Sequence, residues 1–557
     1  MLLRLAPVLT LALILAPVGA GLLGTLLPAF GILPALGRSE PSLDPWRALI
    51  ATPGLSTSLW LTIGTGLGAT AISFMLAVAF CASAADSRAM RRMERALPAL
   101  LATPHVAVAI GLGFLIAPSG FVVRLLSPEL TGWERPPDIA TVKDPYGLSF
   151  MAGLVLKETP YLILMIASAG SQVPVRALLA ASRAMGHAAP VAWLKVVLPQ
   201  IYGQIRLPVY AVLAFSLSVV EVALILAPGT PPPLSVLAAR WFAGYELDLY
   251  FPAAAAALLQ VGVVLAGIGL WRGLEVGAAH LGSRIIERGG RGWRSAGIVQ
   301  GAGLLAVLAG ALAAAALLTL VLWAFTQEWR FPDAFPSAWS LAATGRLASA
   351  ADTTGATVAI AALSALIAVA LALGCLENEQ RHGVRPGSRA LWLLAVPLLL
   401  PQIAFVFGTQ VVLVRIGLDG TLAAVVWAHL VFVLPYVFLS LADPYRALDP
   451  RFARIAAGLG AAPMRIFLAV KVPLLLKPIL VAFAVGFAVS ISLYLPTLFA
   501  GAGRISTLTT EAVTLASGAD RRLVGATALA QTVLPLAVYA LALLLPSWFR
   551  RMRGGMR

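Results

Sequence analysis

The chain has 557 residues, of which 60% are hydrophobic and only 11% are charged, and its mean hydropathy is +0.91. Soluble proteins carry roughly a quarter charged residues, so this composition excludes an ordinary soluble fold and predicts a membrane protein. The net charge of +16 does not indicate a nucleic-acid partner, because the arginines are scattered over short loops between apolar stretches.

Twelve apolar stretches predict membrane-spanning helices, since a helix needs roughly 20 apolar residues to cross a bilayer. Six lie in each half of the chain, at about 6–28, 57–83, 97–118, 149–169, 205–228, 252–272, 298–325, 354–375, 391–414, 421–441, 477–500 and 527–548. The first stretch is longer than the core of a signal peptide and has a counterpart at 298–325, so we interpret it as a retained helix. The predicted fold class is an all-α polytopic membrane protein.

Two longer segments between predicted helices, at about 119–148 and 326–352, contain Trp133, Trp329 and Trp339. Such segments either dock a partner outside the membrane or cap the helix ends. The sequence leaves both interpretations open.

The distribution of lysine and arginine predicts the orientation of the chain, because these residues remain preferentially on the cytoplasmic side. If the N-terminus is cytoplasmic, most of the 40 lysines and arginines lie inside. The even number of spans then places the C-terminus in the cytoplasm as well.

Residues 273–297 separate the two halves and contain Arg284, Arg288, Arg291 and several glycines. Glycine favours a flexible segment and arginine favours the cytoplasmic side. We therefore predict two six-helix domains, 1–272 and 298–557, which are parallel repeats joined by a cytoplasmic linker at 273–297.

A short pattern between the predicted helices occurs twice. Gly186 and Pro199 recur as Gly460 and Pro473, each displaced by 274 residues. A glycine can turn the chain sharply at the end of a helix, and a proline is suited to the first turn of the next one. The pattern predicts a helix, a sharp turn, a short surface helix and a stop at the second proline.

Signatures of catalysis and nucleotide binding are absent from the sequence. All five lysines, Lys143, Lys157, Lys195, Lys471 and Lys477, follow Val or Leu, so a phosphate-binding loop with a Gly-Lys pair cannot exist here. The histidines and cysteines show no metal-ligand spacing, and no nucleophile elbow is present. We predict no enzymatic activity, no metal and no cofactor.

The repeated pattern resembles the coupling loop of binding-protein-dependent ABC importer permeases, whose consensus is E-A-A, three residues, Gly, nine residues and I-x-L-P. Both Gly-to-Pro pairs occupy the matching positions, whereas Ala180 and Arg454 replace the opening Glu. The resemblance implies that the loops dock into a separate ATPase subunit. It assigns this coupling to Ala180, Arg183, Gly186, Pro190, Leu198, Pro199, Arg454, Gly460, Pro463, Arg465, Val472 and Pro473.

A second repeated pattern supports the same family. The segment from Pro104 to Gly111 matches the segment from Pro401 to Gly408 and is similar to an apolar helix of such permeases. The chain resembles in particular the fused twelve-helix permeases of the ferric-iron and thiamine importer type, and residues 495–513 resemble a thiamine-permease-like branch.

The resemblance implies two tandem six-helix domains of the MetI-like type in a bacterial inner membrane. It also implies two copies of an ABC ATPase subunit and an extracytoplasmic solute-binding protein that delivers a small solute. Thiamine, ferric iron and polyamines remain open as substrates.

Charged residues inside predicted spans are candidates for the translocation path, because they are costly in a membrane and usually face a cavity or each other. Lys157 and Glu158 lie in the fourth predicted span and Glu221 in the fifth, and Tyr494 is a further candidate in the eleventh. One interpretation is that these residues line or gate the path. The alternative is a structural ion pair between Lys157 and Glu221.

A twelve-helix secondary transporter driven by an ion gradient is the main alternative function. That class has a Gly-Asp-Arg-type signature between its second and third helices, whereas the loop here reads SAADSRAMRRMERA and lacks the glycine turn. Proton coupling would also favour carboxylates in both halves, and the candidate carboxylates lie in only one.

Overall fold

A computed structural model describes residues 2–85, 87–349, 351–383, 387–518 and 520–554, and these ranges are almost entirely helical. The helices before residue 288 are α1 (Leu2–Ala29), α2 (Asp44–Ile50), α3 (Leu55–Ala84), α4 (Arg88–Ala102), α5 (His105–Ile116), α6 (Phe121–Leu126), α7 (Leu148–Gly170), α8 (Val175–Ala184), α9 (Ala189–Ala192), α10 (Leu198–Ser218), α11 (Glu221–Leu226), α12 (Leu234–Ala243) and α13 (Tyr250–Glu287).

The helices after residue 292 are α14 (Trp293–Phe325), α15 (Ala342–Ser349), α16 (Ala351–His382), α17 (Ser388–Leu399), α18 (Ile403–Arg415), α19 (Leu422–Arg446), α20 (Pro450–Gly458), α21 (Pro463–Ile466), α22 (Val472–Leu474), α23 (Leu476–Ser492), α24 (Leu495–Gly501), α25 (Leu508–Leu515) and α26 (Arg521–Gly554). Strands β1 (Thr326–Glu328) and β2 (Ala338–Trp339) form an antiparallel pair. Short 3-10 helices lie at Pro34–Leu36 and Leu247–Leu249, and π-helical turns at Trp193–Val197 and Phe467–Lys471.

The number of helices suited to crossing a membrane differs from the prediction of twelve. In the described ranges nine helices are long and apolar enough to cross a membrane. The number rises to eleven if each of two bent helix pairs forms one span. The remaining predicted span, at about 205–228, is broken at Val219 and Val220. The break separates the apolar α11 from α10, whose N-terminal end carries Gln200, Gln204 and Arg206 and is therefore less apolar.

The third predicted span of each half also contains a break. The helices α4 and α5 flank Thr103 and Pro104, and α17 and α18 flank Leu400 and Pro401 with an angle of 93° between them. A proline disfavours the helical conformation of the residue before it, and both preceding residues are extended here. The repeated prolines therefore mark a bend rather than one continuous apolar helix.

The two sequence halves interlock. The first helix of the chain, α1, packs against α16 and α18, whereas α14 packs against α3 and α5. A Cβ atom added to Gly408 in α18 would lie 2.0 Å from the Gly21 carbonyl oxygen, and one added to Gly111 in α5 would lie 2.2 Å from the Ala316 carbonyl oxygen. Only glycine allows such a close approach of two backbones, which explains why the pattern ending at these glycines occurs twice.

The linker between the halves is shorter than the predicted stretch 273–297. The helix α13 continues to Glu287 and α14 begins at Trp293, so only residues 288–292 are not helical. The extension of α13 is explained by Leu274, Leu281 and Ile285, which maintain a helical spacing of apolar residues.

The segment after α14 caps the helix ends. The buried Arg124 of α6 donates a hydrogen bond to the Arg330 carbonyl oxygen at 2.6 Å, and its guanidinium carbon lies 4.8 Å from the centre of the buried Trp329 ring. Trp339 is 54% exposed and Trp133 is 37% exposed. One tryptophan therefore belongs to the cap, and the other two remain accessible to a partner.

Candidate coupling segments and the interface between the halves

The first turn segment (residues 175–199) has the geometry that its sequence predicts. Helix α8 ends before Gly186, whose φ of +85° lies in the left-handed region that favours glycine. The Gly186 N–H donates to the Arg183 carbonyl and the His187 N–H to the Ser182 carbonyl, which closes the helix end. Helix α9 then begins with Pro190 in its first turn.

The second turn segment (residues 450–474) repeats this arrangement. Helix α20 ends before Gly460, which has a φ of +78°. The Gly460 N–H donates to the Ala457 carbonyl and the Ala461 N–H to the Ala456 carbonyl, and α21 begins with Pro463. The predicted sharp turn and short helix are thus present in both halves.

The predicted stop at the second proline is wrong for the first turn segment. Helical turns continue through Pro199, because a π-helical turn at Trp193–Val197 leads directly into α10. Proline is tolerated there because it lies in the first turn of α10, where its missing N–H is not needed. In the second turn segment Pro473 lies in α22, and the chain bends by 76° before α23.

The residues assigned to coupling differ in their accessibility. Eight of them are exposed: Ala180, Arg183, Pro199, Arg454, Gly460, Pro463, Arg465 and Pro473. Gly186, Leu198 and Val472 are half-buried, and Pro190 is buried.

The second turn segment presents an unpartnered apolar face. Its large exposed apolar side chains are Phe452, Ile455, Leu459, Met464, Leu468 and Leu474, of which Leu459 is 83% exposed. In the first turn segment the positions corresponding to Met464 and Phe467 are Pro190 and Trp193, and both are buried. Met185, at the position of Leu459, is 62% exposed, so the two segments share a backbone geometry but only part of an apolar surface.

A buried polar network anchors the second turn segment, and sequence reasoning missed it. The Lys471 ammonium lies 2.7 Å from Glu377 Oε2, and the Tyr445 hydroxyl donates to the same carboxylate. Arg381 donates to Glu377 Oε1 at 2.5 Å and to the Pro463 carbonyl oxygen at 2.9 Å. The signal in the sequence is an acidic residue two positions after the predicted span 354–375, followed four residues later by an arginine.

The first half uses a different anchor at the base of its turn segment. The Glu275 carboxylate of α13 accepts a hydrogen bond from the Tyr202 hydroxyl at 2.8 Å and forms ion pairs with Arg206 at 3.2 Å and Arg272 at 2.6 Å. Its side chain is 6% exposed. This cluster joins α10 to α13, whereas the Lys471 network joins the second turn segment to α16 and α19.

Lys157 does not form the ion pair with Glu221 that was the alternative interpretation. Its ammonium donates to the carbonyl oxygens of Leu100 at 2.7 Å, Leu101 at 3.0 Å and Thr103 at 2.5 Å. An ammonium has three N–H donors, so these contacts use all of them. Lys157 therefore caps the end of α4 at the break before Pro104.

Glu158 lies between the two halves. Its Oε1 is 3.1 Å from His105 Nε2, and its carboxylate is close enough to Tyr161 and Tyr436 to interact with both electrostatically. Each of these tyrosines follows a proline, at the repeated Pro-Tyr pairs 160–161 and 435–436. The repeat thus brings one tyrosine from each half to a single carboxylate.

Glu221 and Tyr494 lie at matching helix breaks and interact electrostatically. Glu221 is the first residue of α11, after the break at Val219 and Val220, and Tyr494 directly precedes α24. Glu221 is 6% exposed, and no ion pair to it is found in the part of the chain that the structure describes. The two residues come from different halves.

The carbonyl groups that the two breaks release are satisfied in matching ways. Gln260 Nε2 donates to the Leu217 carbonyl at 3.0 Å, and the Thr509 hydroxyl donates to the Ile491 carbonyl, which occupies the same place in the repeat. Gln531 Nε2 in turn donates to the Thr509 hydroxyl at 2.6 Å. Such partners are required in a membrane because no water is available to the backbone.

Comparison with known proteins identifies one extended similarity. No family model matches the chain. The "Inner membrane ABC transporter permease protein YnjC" of Escherichia coli (strain K12) is 32% identical over 520 residues, which cover 93% of this chain and 93% of the relative.

Proposed function

The chain belongs to the permease subunits of ABC transporters, and from that membership we propose that it is the transmembrane permease of an importer. It is a multi-pass protein of the inner membrane that acts with an ATPase partner. The proposal is carried by one observation: the turn segments of the two halves repeat the same helix, left-handed glycine and short helix. A twelve-helix secondary transporter is not proposed, because the relative belongs to a different class of transporter.

The proposed coupling is that two copies of an ABC ATPase subunit dock on the two turn segments. The exposed arginines Arg183, Arg454 and Arg465 and the apolar face around Leu459 support this role. ATP-driven closure of the ATPase pair would move the two segments and switch access to the path. The switch requires that the ATPase pair bind the two states with different affinity.

In the proposed transport direction, an extracytoplasmic binding protein delivers a small solute to the outer loops. Both termini would then be cytoplasmic, and residues 1–272 and 298–557 would form the two permease domains around the linker. The exposed Trp133 and Trp339 support an outer docking surface. The proposed branch of the family is the ferric-iron and thiamine type of permease. The solute can be identified as the compound that raises the melting temperature of the cognate binding protein, because ligand binding stabilises the folded form.

The proposed translocation path runs along the interface between the halves at Glu158, Glu221 and Tyr494. All three are buried or half-buried, and each interacts with a residue of the opposite half. Lys157 has a positioning role in this proposal, because its donors are committed to the end of α4.

The coupling role is tested by Gly460→Pro, with Gly458→Ala as the matched control. Proline requires a φ near −65°, whereas Gly460 has +78°, so the turn would be destroyed. Gly458 lies in α20 with open space around it, so alanine is accommodated. The permease is purified with its co-expressed ATPase subunit, and retention of that subunit and ATP hydrolysis in proteoliposomes are measured. We expect Gly460→Pro to insert into the membrane but to lose both, and normal retention with normal hydrolysis would overturn the docking proposal.

A further inference from the structure

We propose that the linker between the halves is part of the first docking surface, where it presents Arg291 to an acidic surface of the ATPase subunit. This inference rests on the proposed function, in which the first turn segment docks that subunit. The linker strap is defined here as residues Arg288–Gly292, which connect α13 to α14.

The strap is bound to the first turn segment by hydrogen bonds at two neighbouring residues. The Ala188 N–H donates to the Arg291 carbonyl oxygen at 3.1 Å, and Lys195 Nζ donates to the Gly290 carbonyl oxygen at 2.6 Å. The first contact uses only backbone atoms. It therefore holds the strap in place independently of the side chain at position 291.

Close packing reinforces these hydrogen bonds. Gly292 has a φ of +72°, and a Cβ atom added to it would lie 2.4 Å from Val191 Cγ1. Val191 itself is buried, with 7% of its surface exposed. Since only glycine combines this conformation with this proximity, the strap and the first turn segment form one surface.

Arg291 lies directly over the turn. A Cβ atom added to Gly186 would lie 3.2 Å from Arg291 Nε and 3.4 Å from its guanidinium carbon. The Arg291 side chain is nevertheless exposed to solvent. In the second turn segment no described residue lies within 4 Å of a Cβ atom added to Gly460, so a charged side chain over the turn distinguishes the first docking surface from the second.

The charge around the strap indicates the chemistry of the partner. Residues 175–200 contain no Asp or Glu but include Arg176, Arg183 and Lys195. Arg288 adds exposed positive charge from the strap, and the exposed Glu287 directly before it is the acidic neighbour on α13. A surface with an excess of positive charge selects a partner surface of the opposite sign, here an acidic groove of the ATPase subunit.

Photo-crosslinking tests the proximity that the proposal requires. The photoreactive residue p-benzoylphenylalanine is introduced at position 291, at position 464 as a probe of the second turn segment, and at position 284 as a control on α13. The full permease is irradiated in complex with its ATPase subunit. We expect crosslinks to that subunit from positions 291 and 464 and none from position 284.

The crosslinking outcomes separate this inference from the proposed function. A crosslink from position 464 without one from position 291 would overturn the role of the strap and leave ATPase docking intact. Absence of a crosslink from both positions would overturn ATPase docking and this inference with it.

Charge reversal tests the energetic contribution of Arg291. Arg291→Glu retains the backbone hydrogen bond to Ala188, so the strap remains in place. We expect the affinity of the ATPase subunit for the permease in nanodiscs to fall by about fivefold or more, whereas Arg284→Glu should change it less than about twofold. An equal effect of both substitutions would overturn the assignment.

The same measurement separates an acidic protein surface from anionic lipid headgroups. In nanodiscs of phosphatidylcholine alone, the effect of Arg291→Glu should persist. If it disappears there and exists only with phosphatidylglycerol present, Arg291 binds the membrane surface and the proposal is wrong.

Discussion

The Lys471 ammonium nitrogen lies 2.7 Å from Glu377 Oε2 at the base of the second turn segment, and both side chains are at most 6% exposed. The pair connects the π-helical turn that ends at Lys471 to the end of α16. Tyr445 adds a third element, α19, to the same carboxylate. One buried cluster therefore ties the second turn segment to two helices of the second half.

The first prediction is that Glu377→Ala lowers the free energy of unfolding by about 3 kcal/mol, because a buried lysine is left without its anion. Denaturation of the purified permease in mixed detergent micelles measures this value. The double variant Glu377→Ala/Lys471→Met should recover most of the loss, since the unpaired charge is removed. Wild-type stability of the single variant would show that the pair does not anchor the segment.

Replacement of Lys157 by methionine should destabilise the permease by about 1–3 kcal/mol, because three buried carbonyl groups at the end of α4 lose their donor. Lys195→Met is the matched control, since that lysine is only half-buried and donates to one carbonyl. The control should change stability by less than about 0.5 kcal/mol. Equal thermal midpoints for the two variants would contradict the capping role of Lys157.

The crossing of α1 and α18 should not tolerate a side chain at Gly408. We expect Gly408→Leu to destabilise the folded permease by about 3 kcal/mol or to prevent its purification, because the added atoms would overlap the α1 backbone. Gly310→Ala places a methyl group in open space on α14 and should purify like the wild type. The yield of monodisperse protein in size-exclusion chromatography checks this prediction.

Glu221→Gln should impair transport while leaving stability within about 1 kcal/mol, because the amide keeps the shape of the carboxyl group but cannot ionise. The assay is ATP hydrolysis in proteoliposomes, stimulated by the binding protein loaded with the solute that its melting temperature identifies. Glu287→Gln, on the exposed end of α13, is the control and should retain full stimulation. Full stimulation of Glu221→Gln would remove this residue from the path.

The loop before α7 should make a pH-dependent contribution to stability through Asp144. Burial raises the pKa of the Asp144 carboxyl, but hydrogen bonds from the N–H groups of Ser149 and Leu148 outweigh burial and hold the pKa below its ordinary value. The folded state therefore favours the ionised carboxylate. The resulting stabilisation of the fold is present above the unfolded pKa of about 3.9 and is lost as the pH falls through the folded pKa.

We therefore expect Asp144→Ala to cost about 1 kcal/mol at neutral pH, and the difference from the wild type to shrink below about pH 4. Thermal unfolding of the two proteins over this pH range measures the difference in stability. Asp138→Ala, in an exposed part of the same loop, should have little effect at any pH. A difference that grows on acidification would contradict the sign of this prediction.

The class of protein and the two turns could be predicted from the chain itself. Hydropathy depends only on composition over about 20 residues, and a left-handed glycine such as Gly186 or Gly460 reflects a local preference of the backbone. Both properties are carried by short stretches of sequence. The breaks at Pro104 and Pro401 were visible as prolines, but the prediction joined the helices across them because the apolar composition continues.

What the tertiary structure alone decided is which distant residues meet. Lys157 binds three carbonyl groups of α4 rather than Glu221, α1 and α14 each pack against the opposite half, and the strap lies over only one of the two turns. These contacts depend on the crossing of helices far apart in the chain, and hydropathy and local backbone preference contain no information about such crossings. The duplicated sequence therefore predicted two equivalent turns, whereas helix packing made their surfaces different.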